Sequence, residues 1–225
     1  NILTSILNST ELALLDLPVG VPARADLERV VRAAHRGSAL VKQILTFSRP
    51  SQEGFQATDV AEVIRDAVGL VRASMPRNIV VMEHLEAKHT HSFADPIQIQ
   101  QIVMNCVTNA FHALREIGGR IEVGLTEERI SRERARTLNV QPGNYLRLSI
   151  ADNGPGIPLE IRDLIFDPFF TTKDKAEGTG LGLAVAHGIV KVHKGAIRVS
   201  STPFERTAFD IYLPCFEQAS DADLA

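Results

Sequence analysis

Two amides, Asn105 and Asn109, sit four residues apart in the segment QQIVMNCVTNAFHAL. On a helix this spacing places both on one face, about 6 Å apart along the axis. Ile99, Ile102, Val103, Cys106, Val107 and Ala110 make the rest of the segment apolar, so the amides lie on the face left over. Amides suit a hydrated Mg²⁺ and phosphate oxygens, since Mg²⁺ takes oxygen ligands and keeps several waters. Ordinary polar surface is the alternative. A second candidate is Asp152, which ends the strand-like run YLRLSIAD and is followed by Gly154 and Gly156 in DNGPGIP. A carboxylate leaving a buried strand unpaired is costly, so it calls for donors. The amino group of an adenine would serve, at about 1.5–3 kcal/mol for a hydrogen bond to a charged group. The two glycines would let backbone approach a flat base. A turn-capping role is the alternative for Asp152.

Two further stretches follow in order. FDPFFTTKDKAEGTG carries paired aromatics, Thr171-Thr172 and Lys173, and reads as a lid whose lysine makes a charge-assisted phosphate contact. EGTGLGLAVAHGIV packs Gly178, Gly180 and Gly182 into five positions and then turns apolar and helical. A helix opening near Gly180 or Leu181 would aim its first amides and the positive end of its dipole at phosphate. The cluster is not a dinucleotide fingerprint, because the preceding FFTTKDKAE is polar and charged rather than a strand. Nor is it a Walker loop, because Leu183-Ala184 follows Gly182 where Lys-Ser/Thr is needed. Alone it fits a flexible turn better than a phosphate site. Its company with the other three stretches favours phosphate, and Gly180→Ala and Gly182→Ala are both expected to weaken nucleotide binding.

These residues need a scaffold, and the 225-residue chain is long enough for one large domain or two small ones. A net charge of −3 gives no global basic field for nucleic acid or anionic membrane. Cys106 and Cys215 form neither a disulfide framework nor a metal cluster, which fits a reduced, cytoplasmic setting. No apolar run approaches the ~20 residues that span a bilayer, and no signal peptide is evident. The chain opens with Asn1-Ile2-Leu3 in a helical pattern without Met, as a piece of a longer protein would, so a membrane-anchored parent stays open.

The first fifty residues read as two helices. Ile2, Ile6, Ala13 and Leu17 form one stripe, flanked by Leu3, Leu7 and Leu14; DLPVGVP breaks the pattern. Leu27, Val30, Val31, Ala34, Ser38, Val41, Ile44, Leu45 and Ser48 then recur near heptad spacing. So narrow a seam predicts an antiparallel helical hairpin that forms a four-helix bundle in a homodimer, a hairpin docked on the rest of the chain being the alternative. Beyond a linker near Pro50, the pattern predicts an amphipathic helix over 60–73, a strand over 78–86, and a long helix capped by Asp95-Pro96. Strands over 120–128 and 145–152 are separated by a charged, exposed loop from about Glu127 to Asn144. A closing hairpin, GAIRVSS and TAFDIYLP, completes an α+β chain. Its second part is an α/β sandwich with a mixed sheet and helices on one face. The expected domains are 1–52, the helical hairpin; 53–217, the nucleotide domain; and 218–225, a disordered tail.

The asparagine helix, DNGPGIP, FDPFFTTK and GTGLGLAVAHGIV, in this order, resemble the N, G1, F and G2 boxes of sensor histidine kinases. LVKQILTFSRP resembles the end of the second helix of their dimerisation and phosphotransfer domain. The resemblance implies the Bergerat ATP-binding fold shared with DNA gyrase, mismatch-repair MutL proteins and heat-shock chaperone ATPases. It also implies ATP and Mg²⁺ as ligands, a homodimer, and a response-regulator receiver domain as partner. By resemblance Asp152 binds the adenine amino group with Thr207 beside it through a water. Gly154, Gly156 and Ile157 shape that pocket. Asn109 is the Mg²⁺ ligand, with Asn105 one turn before it, and His112 sits at a phosphate-contacting position. Phe166, Phe169 and Phe170 anchor the lid, while Thr172, Lys173, Thr179 and Leu181 line the phosphates. Gly178, Gly180 and Gly182 hinge the lid. Asn105, Asn109 and Lys173 are the residues assigned to catalysis.

Relatives that hydrolyse ATP carry a water-activating Glu four residues before the Mg²⁺-binding Asn. Here that position is Asn105, which cannot act as a base. The resemblance therefore implies transfer to another group, which needs little beyond in-line positioning and charge neutralisation. The acceptor histidine of such kinases would fall four residues before Asn1, so these 225 residues are not expected to phosphorylate themselves. None of the seven histidines replaces it; structural or solvated roles are expected for His35, His84, His89, His91, His187 and His193. Asn1 matches a position that orients water for dephosphorylating the regulator. Phe204 and Arg206 stand where the family usually has Gly, which predicts altered turn geometry. A gyrase- or chaperone-type ATPase, an ATP-binding pseudokinase scaffold and a serine kinase of the anti-sigma type are the competing readings.

Overall fold

The computed structural model describes residues 2–18, 21–31, 34, 54–72, 75–172 and 179–216. The chain divides into two compact units, Asn1–Pro50 and Ser51–Ala225. In the first, α1 (Ile2–Asp16) ends where the Pro- and Gly-containing break begins, and a second helix, α2, occupies 22–31. Arg24 closes the break by donating to the carbonyls of Leu14 (3.0 Å) and Leu17 (2.9 Å), which satisfies acceptors that the end of α1 leaves open. The rest of the heptad pattern, and with it the second half of the expected hairpin, lies outside the described residues. Ile6, Leu12, Leu15 and Val30 are exposed on this unit.

The second unit is a two-layer sandwich. Its elements are β1 (Gln56–Asp59), α3 (Val60–Arg72), β2 (Ile79–Leu85), β3 (His91–Ala94), α4 (Pro96–Leu114), β4 (Gly119–Ile130), α5 (Arg132–Leu138), β5 (Gly143–Asp152), α6 (Gly182–Val192), β6 (Ala196–Thr202) and β7 (Arg206–Pro214). Two 3₁₀ turns, Leu159–Ile161 and Leu164–Phe166, lie between β5 and α6. The main sheet runs β2-β4-β5-β7-β6; β2 and β4 are parallel and the remaining pairs antiparallel. Ile64 and Val68 of α3, Ile102 and Cys106 of α4, and Ile189 and Val190 of α6 share one core with Val123, Leu148, Ile150 and Ile211 of the sheet. The expected mixed sheet and helix-covered face are therefore present.

Three departures have local causes. The segment 127–144 is not a plain loop: β4 continues to Ile130 and α5 follows, with Ser131 as its N-cap and Asn139 in a left-handed cap. Only Ala135 of α5 is buried, so the charged sequence shows no apolar period although it is helical. It packs with Ile130, Tyr145, Ala196 and Tyr212 in a small second cluster on the opposite face of the sheet. β1 and β3 form a separate two-stranded ladder. At four residues each, they are too short to show a period. At the β6–β7 turn Phe204 takes a left-handed φ of 60°, the conformation for which glycine is the usual choice.

Asp95 caps α4 by accepting from Ile97 N (2.9 Å) and Gln98 N (3.3 Å), with Pro96 at the first position. Its backbone N–H donates to His193 Nε2 at 3.2 Å, while His193 Nδ1 donates to the Ile189 carbonyl at 2.8 Å. His193 is thus a buried, neutral bridge between the end of α6 and the start of α4, and Phe55 lies against its ring. Burial sets its pKa below the ordinary imidazole value, and burial followed by the Lys191 charge does the same for His187. The unfolded chain then binds more protons below pH about 6.5, so stability is complete above that pH and is lost as pH falls toward the native pKa values. The urea midpoint is expected to be lower at pH 5.5 than at pH 7.5 with the same m value. The combined His187→Gln, His193→Gln variant should lose most of that difference; an undiminished difference would assign it to other groups.

Candidate nucleotide site

Asp152 is the last residue of β5 and is 5% exposed. Its Oδ1 accepts from Gly154 N at 2.9 Å. Burial raises its pKa above the ordinary carboxyl value, and the Gly154 bond only partly offsets this. Thr207 lies directly opposite Asp152 in the β5–β7 register, and Ser201 lies opposite Thr207 in the β6–β7 register. Ser201 Oγ is 3.1 Å from Thr207 Oγ1 and accepts from Ile157 N at 2.8 Å. A row of polar side chains thus crosses one end of the sheet and ends on the backbone of the glycine loop. Arg162 locks that loop, donating to the carbonyls of Ile157 and Ser201.

Gly156 has φ +86°, and a Cβ there would meet Pro203 Cα at 2.8 Å. The loop therefore lies against the tip of the β6–β7 hairpin, where Phe204 N donates to Pro155 O at 3.0 Å. Phe204 makes this bond while itself holding the left-handed φ. Ser201 and Arg162 were missed in the sequence, although the hairpin register alone would have placed Ser201 opposite Thr207.

Asn105 lies on α4 beside the first turn of α6: a Cβ on Gly182 would stand 3.5 Å from Asn105 Oδ1. Its Nδ2 is buried and has no hydrogen-bond partner. Asn109 follows one turn later and is half-buried, as is His112, whose ring sits 5.5 Å from that of Phe111. Leu181 N donates to Thr179 Oγ1 at 3.3 Å, and α6 then starts at Gly182 with no side-chain cap on its first amides. An orphaned amide donor and an uncapped helix N-terminus facing the same region suit an anion such as phosphate. Among the described residues no group of three His, Cys, Asp or Glu side chains could hold a metal.

Thr172, Thr179, Gly180 and Leu181 flank the lid segment; Lys173 and Gly178, like Asn1, lie outside the described residues. Phe166 and Phe170 pack on the main core, and the Phe166 ring meets those of His187 and Phe209. Phe169 does not anchor by its side chain, which is 65% exposed. Its backbone does so instead, at a φ of +69°, with Phe169 N donating to Gly180 O at 3.0 Å. That bond ties together the two ends of the lid.

The family model for histidine kinase-, DNA gyrase B-, and HSP90-like ATPases matches residues 94–217. The chain belongs to this family. Within it, the similar proteins are sensor kinases. Sensor kinase CckA of Brucella abortus (strain 2308) is 32% identical over 230 residues, covering 99% of this chain and 24% of CckA. Sensor histidine kinase ZraS of Klebsiella oxytoca is 34% identical over 195 residues, covering 85% of this chain and 38% of ZraS. The chain thus spans well under half the length of these relatives. The nucleotide-free catalytic domain of histidine kinase ThkA aligns with a TM-score of 0.58 at 28% identity, over 72% of this chain and 95% of that domain. Full-length ShkA in complex with AMPPNP aligns over 97% of this chain and 44% of ShkA, with a TM-score of 0.70; at 22% identity it shows the fold alone. The second unit is accordingly a Bergerat-type ATP-binding fold.

Geometry separates the two glycines that the sequence grouped. Gly180 has φ +65°, and a Cβ there would stand 2.4 Å from the Phe169 carbonyl carbon, whereas a Cβ on Gly182 would make only ordinary contacts. Gly180→Ala is expected to weaken binding of an ATP analogue about tenfold, from roughly 1–2 kcal/mol of lost lid geometry. Gly182→Ala should change it by less than about twofold, within the small range of an unstrained substitution. Equal effects in a fluorescence titration would show that the Phe169–Gly180 closure is not part of the site.

Proposed function

We propose that the chain is the core of a two-component sensor histidine kinase, which binds Mg-ATP and passes the γ-phosphoryl group to a histidine. The observation that carries this reading is Asn105. It occupies the position where a hydrolase needs a water-activating base, and its buried Nδ2 can only donate. An amide there holds a phosphate and leaves water unactivated.

In this reading Asp152 accepts from the adenine amino group, with Thr207 beside it, and Gly154, Gly156 and Ile157 shape the base pocket. Asn105, His112, Thr172, Lys173, Thr179 and the first amides of α6 from Leu181 onward orient the phosphates. Phe170 and the Gly178–Gly182 segment set the lid. When bound, Mg²⁺ would neutralise charge on the β- and γ-phosphates, with Asn109 as its side-chain ligand. Residues 1–52 supply the dimerisation hairpin, 53–217 the nucleotide domain, and 218–225 a tail. The exposure of Ile6 and Val30, which lie on the expected seams, supports a bundle completed by a second copy. The acceptor histidine falls four residues before Asn1, and phosphate then moves to an aspartate of a response-regulator receiver domain. ThkA, a kinase of the same fold, is solved with its response regulator TrrA. NtrB of Klebsiella oxytoca, 32% identical over 192 residues, is named a "Sensory histidine kinase/phosphatase", which supports a phosphatase activity in which Asn1 would orient water. The core works in the cytoplasm, where Cys106 and Cys215 remain reduced.

Incubation with γ-labelled ATP tests this. The 225 residues alone should take up no stable phosphate. A chain extended upstream through the acceptor position should gain acid-labile, base-stable label, lost in its Asn109→Ala form. Rapid ATP hydrolysis without an acceptor would instead favour an ATPase, and ATP binding without label in the extended chain would favour a scaffold.

A further inference from the structure

A cavity of about 610 Å³ lies away from the nucleotide site, along the free edge of the main sheet. β6 ends the strand order, and among the described residues nothing pairs with its outer side. Ala196–Arg198 form the floor of this groove. The second half of α6 and the Lys194 turn make one wall, and the loop after α5 makes the other. Leu138, Val140 and Ile197 give it an aliphatic surface, whereas its charge has a single sign. Lys191, Lys194 and Arg198 are exposed along it, and none of its lining residues is Asp or Glu. No salt bridge among the described residues engages these three cations.

The nearest carboxylate in register, Asp210 opposite Arg198, is held by Arg147 at 2.9 Å, and Arg198 itself donates to the Thr137 carbonyl. His187 also lines the groove; it lies against the Phe166 ring, and burial with the Lys191 charge disfavours its protonation. The two lysines oppose the negative end of the α6 dipole, which favours cations there but supplies no counter-ion.

We propose that this groove binds an acidic, extended segment of a partner protein, which adds to β6 as a further strand. The open edge offers a row of backbone donors and acceptors, and side chains of alternate residues would meet the aliphatic surface. Lys191 and Lys194 would pair with carboxylates on the incoming strand. The same cations select the occupant: two copies of this edge would repel one another, so a second copy of the chain is disfavoured while an acidic strand is drawn in.

The probe is an eight-residue peptide alternating Glu and Val, titrated into the ¹⁵N-labelled 225-residue chain. Shifts and slowed amide exchange are expected along β6, with affinity reduced about fivefold by Lys191→Ala with Lys194→Ala, the loss of two exposed charge pairs. ATP-analogue affinity should be unchanged in that variant. A peptide with Lys in place of Glu, or with alternate backbone nitrogens methylated, should not bind. Equal binding by the methylated peptide would overturn strand addition, and equal binding by the Lys peptide would overturn acidic recognition. The same shifts from inorganic phosphate alone would reduce the groove to a small-anion pocket and overturn the proposal, as would no β6 response at millimolar peptide.

Discussion

A carboxylate held out of water at the end of a central strand governs the architecture of the nucleotide domain. Asp152 is buried by its place on β5, the middle strand of a five-stranded sheet, and accepts one backbone hydrogen bond, from Gly154. Desolvation raises its pKa, which is the physical sign of an acceptor short of donors. Such a group is costly unless a ligand completes it. The surroundings are arranged around that need: Thr207 and Ser201 continue the polar row, and Arg162 and the Pro155–Phe204 bond fix the glycine loop beside it.

The end proposed to hold phosphate rests on a different constraint, the packing of α4 against α6. The two helices meet where Asn105 lies beside Gly182, and His193 joins them again at the opposite end through Asp95 and Ile189. Between these two ties the helices share one core, so the uncapped start of α6 and the asparagine face of α4 are held in a fixed relation. Such preorganisation is what phosphoryl transfer asks of a protein, because positioning and electrostatics supply most of the catalysis. The backbone bond from Phe169 to Gly180 joins the residues on either side of the proposed lid to this frame.

Much of this was legible in the sequence, for identifiable reasons. Asp95-Pro96 announced the start of α4 because a cap and a proline act locally. The apolar runs around Ile150 and Ile211 announced buried strands. Asp152 stood out because polarity appears where an apolar strand ends. What was not legible depends on partners distant in the chain. His193 has no local signature, since its role is set by Asp95, 98 residues away. Ser201 acquires meaning only through the hairpin register. α5 was hidden because Ala135 is its one buried residue, and Arg134 holds it to Tyr212 by polar contacts that leave no apolar period. Phe169 resembles its neighbours Phe166 and Phe170 in type but acts through its backbone, which a side-chain pattern does not disclose.

In the proposed reading the Asp152 carboxylate accepts from a purine amino group. Calorimetric titration of the chain with adenosine diphosphate and inosine diphosphate, which differ at that amino group, tests it most directly. Adenosine diphosphate should bind at least about tenfold more tightly, as a hydrogen bond to a charged acceptor requires. Asp152→Asn should remove most of that preference. Equal affinity of the unaltered chain for the two nucleotides would mean that Asp152 does not read the amino group.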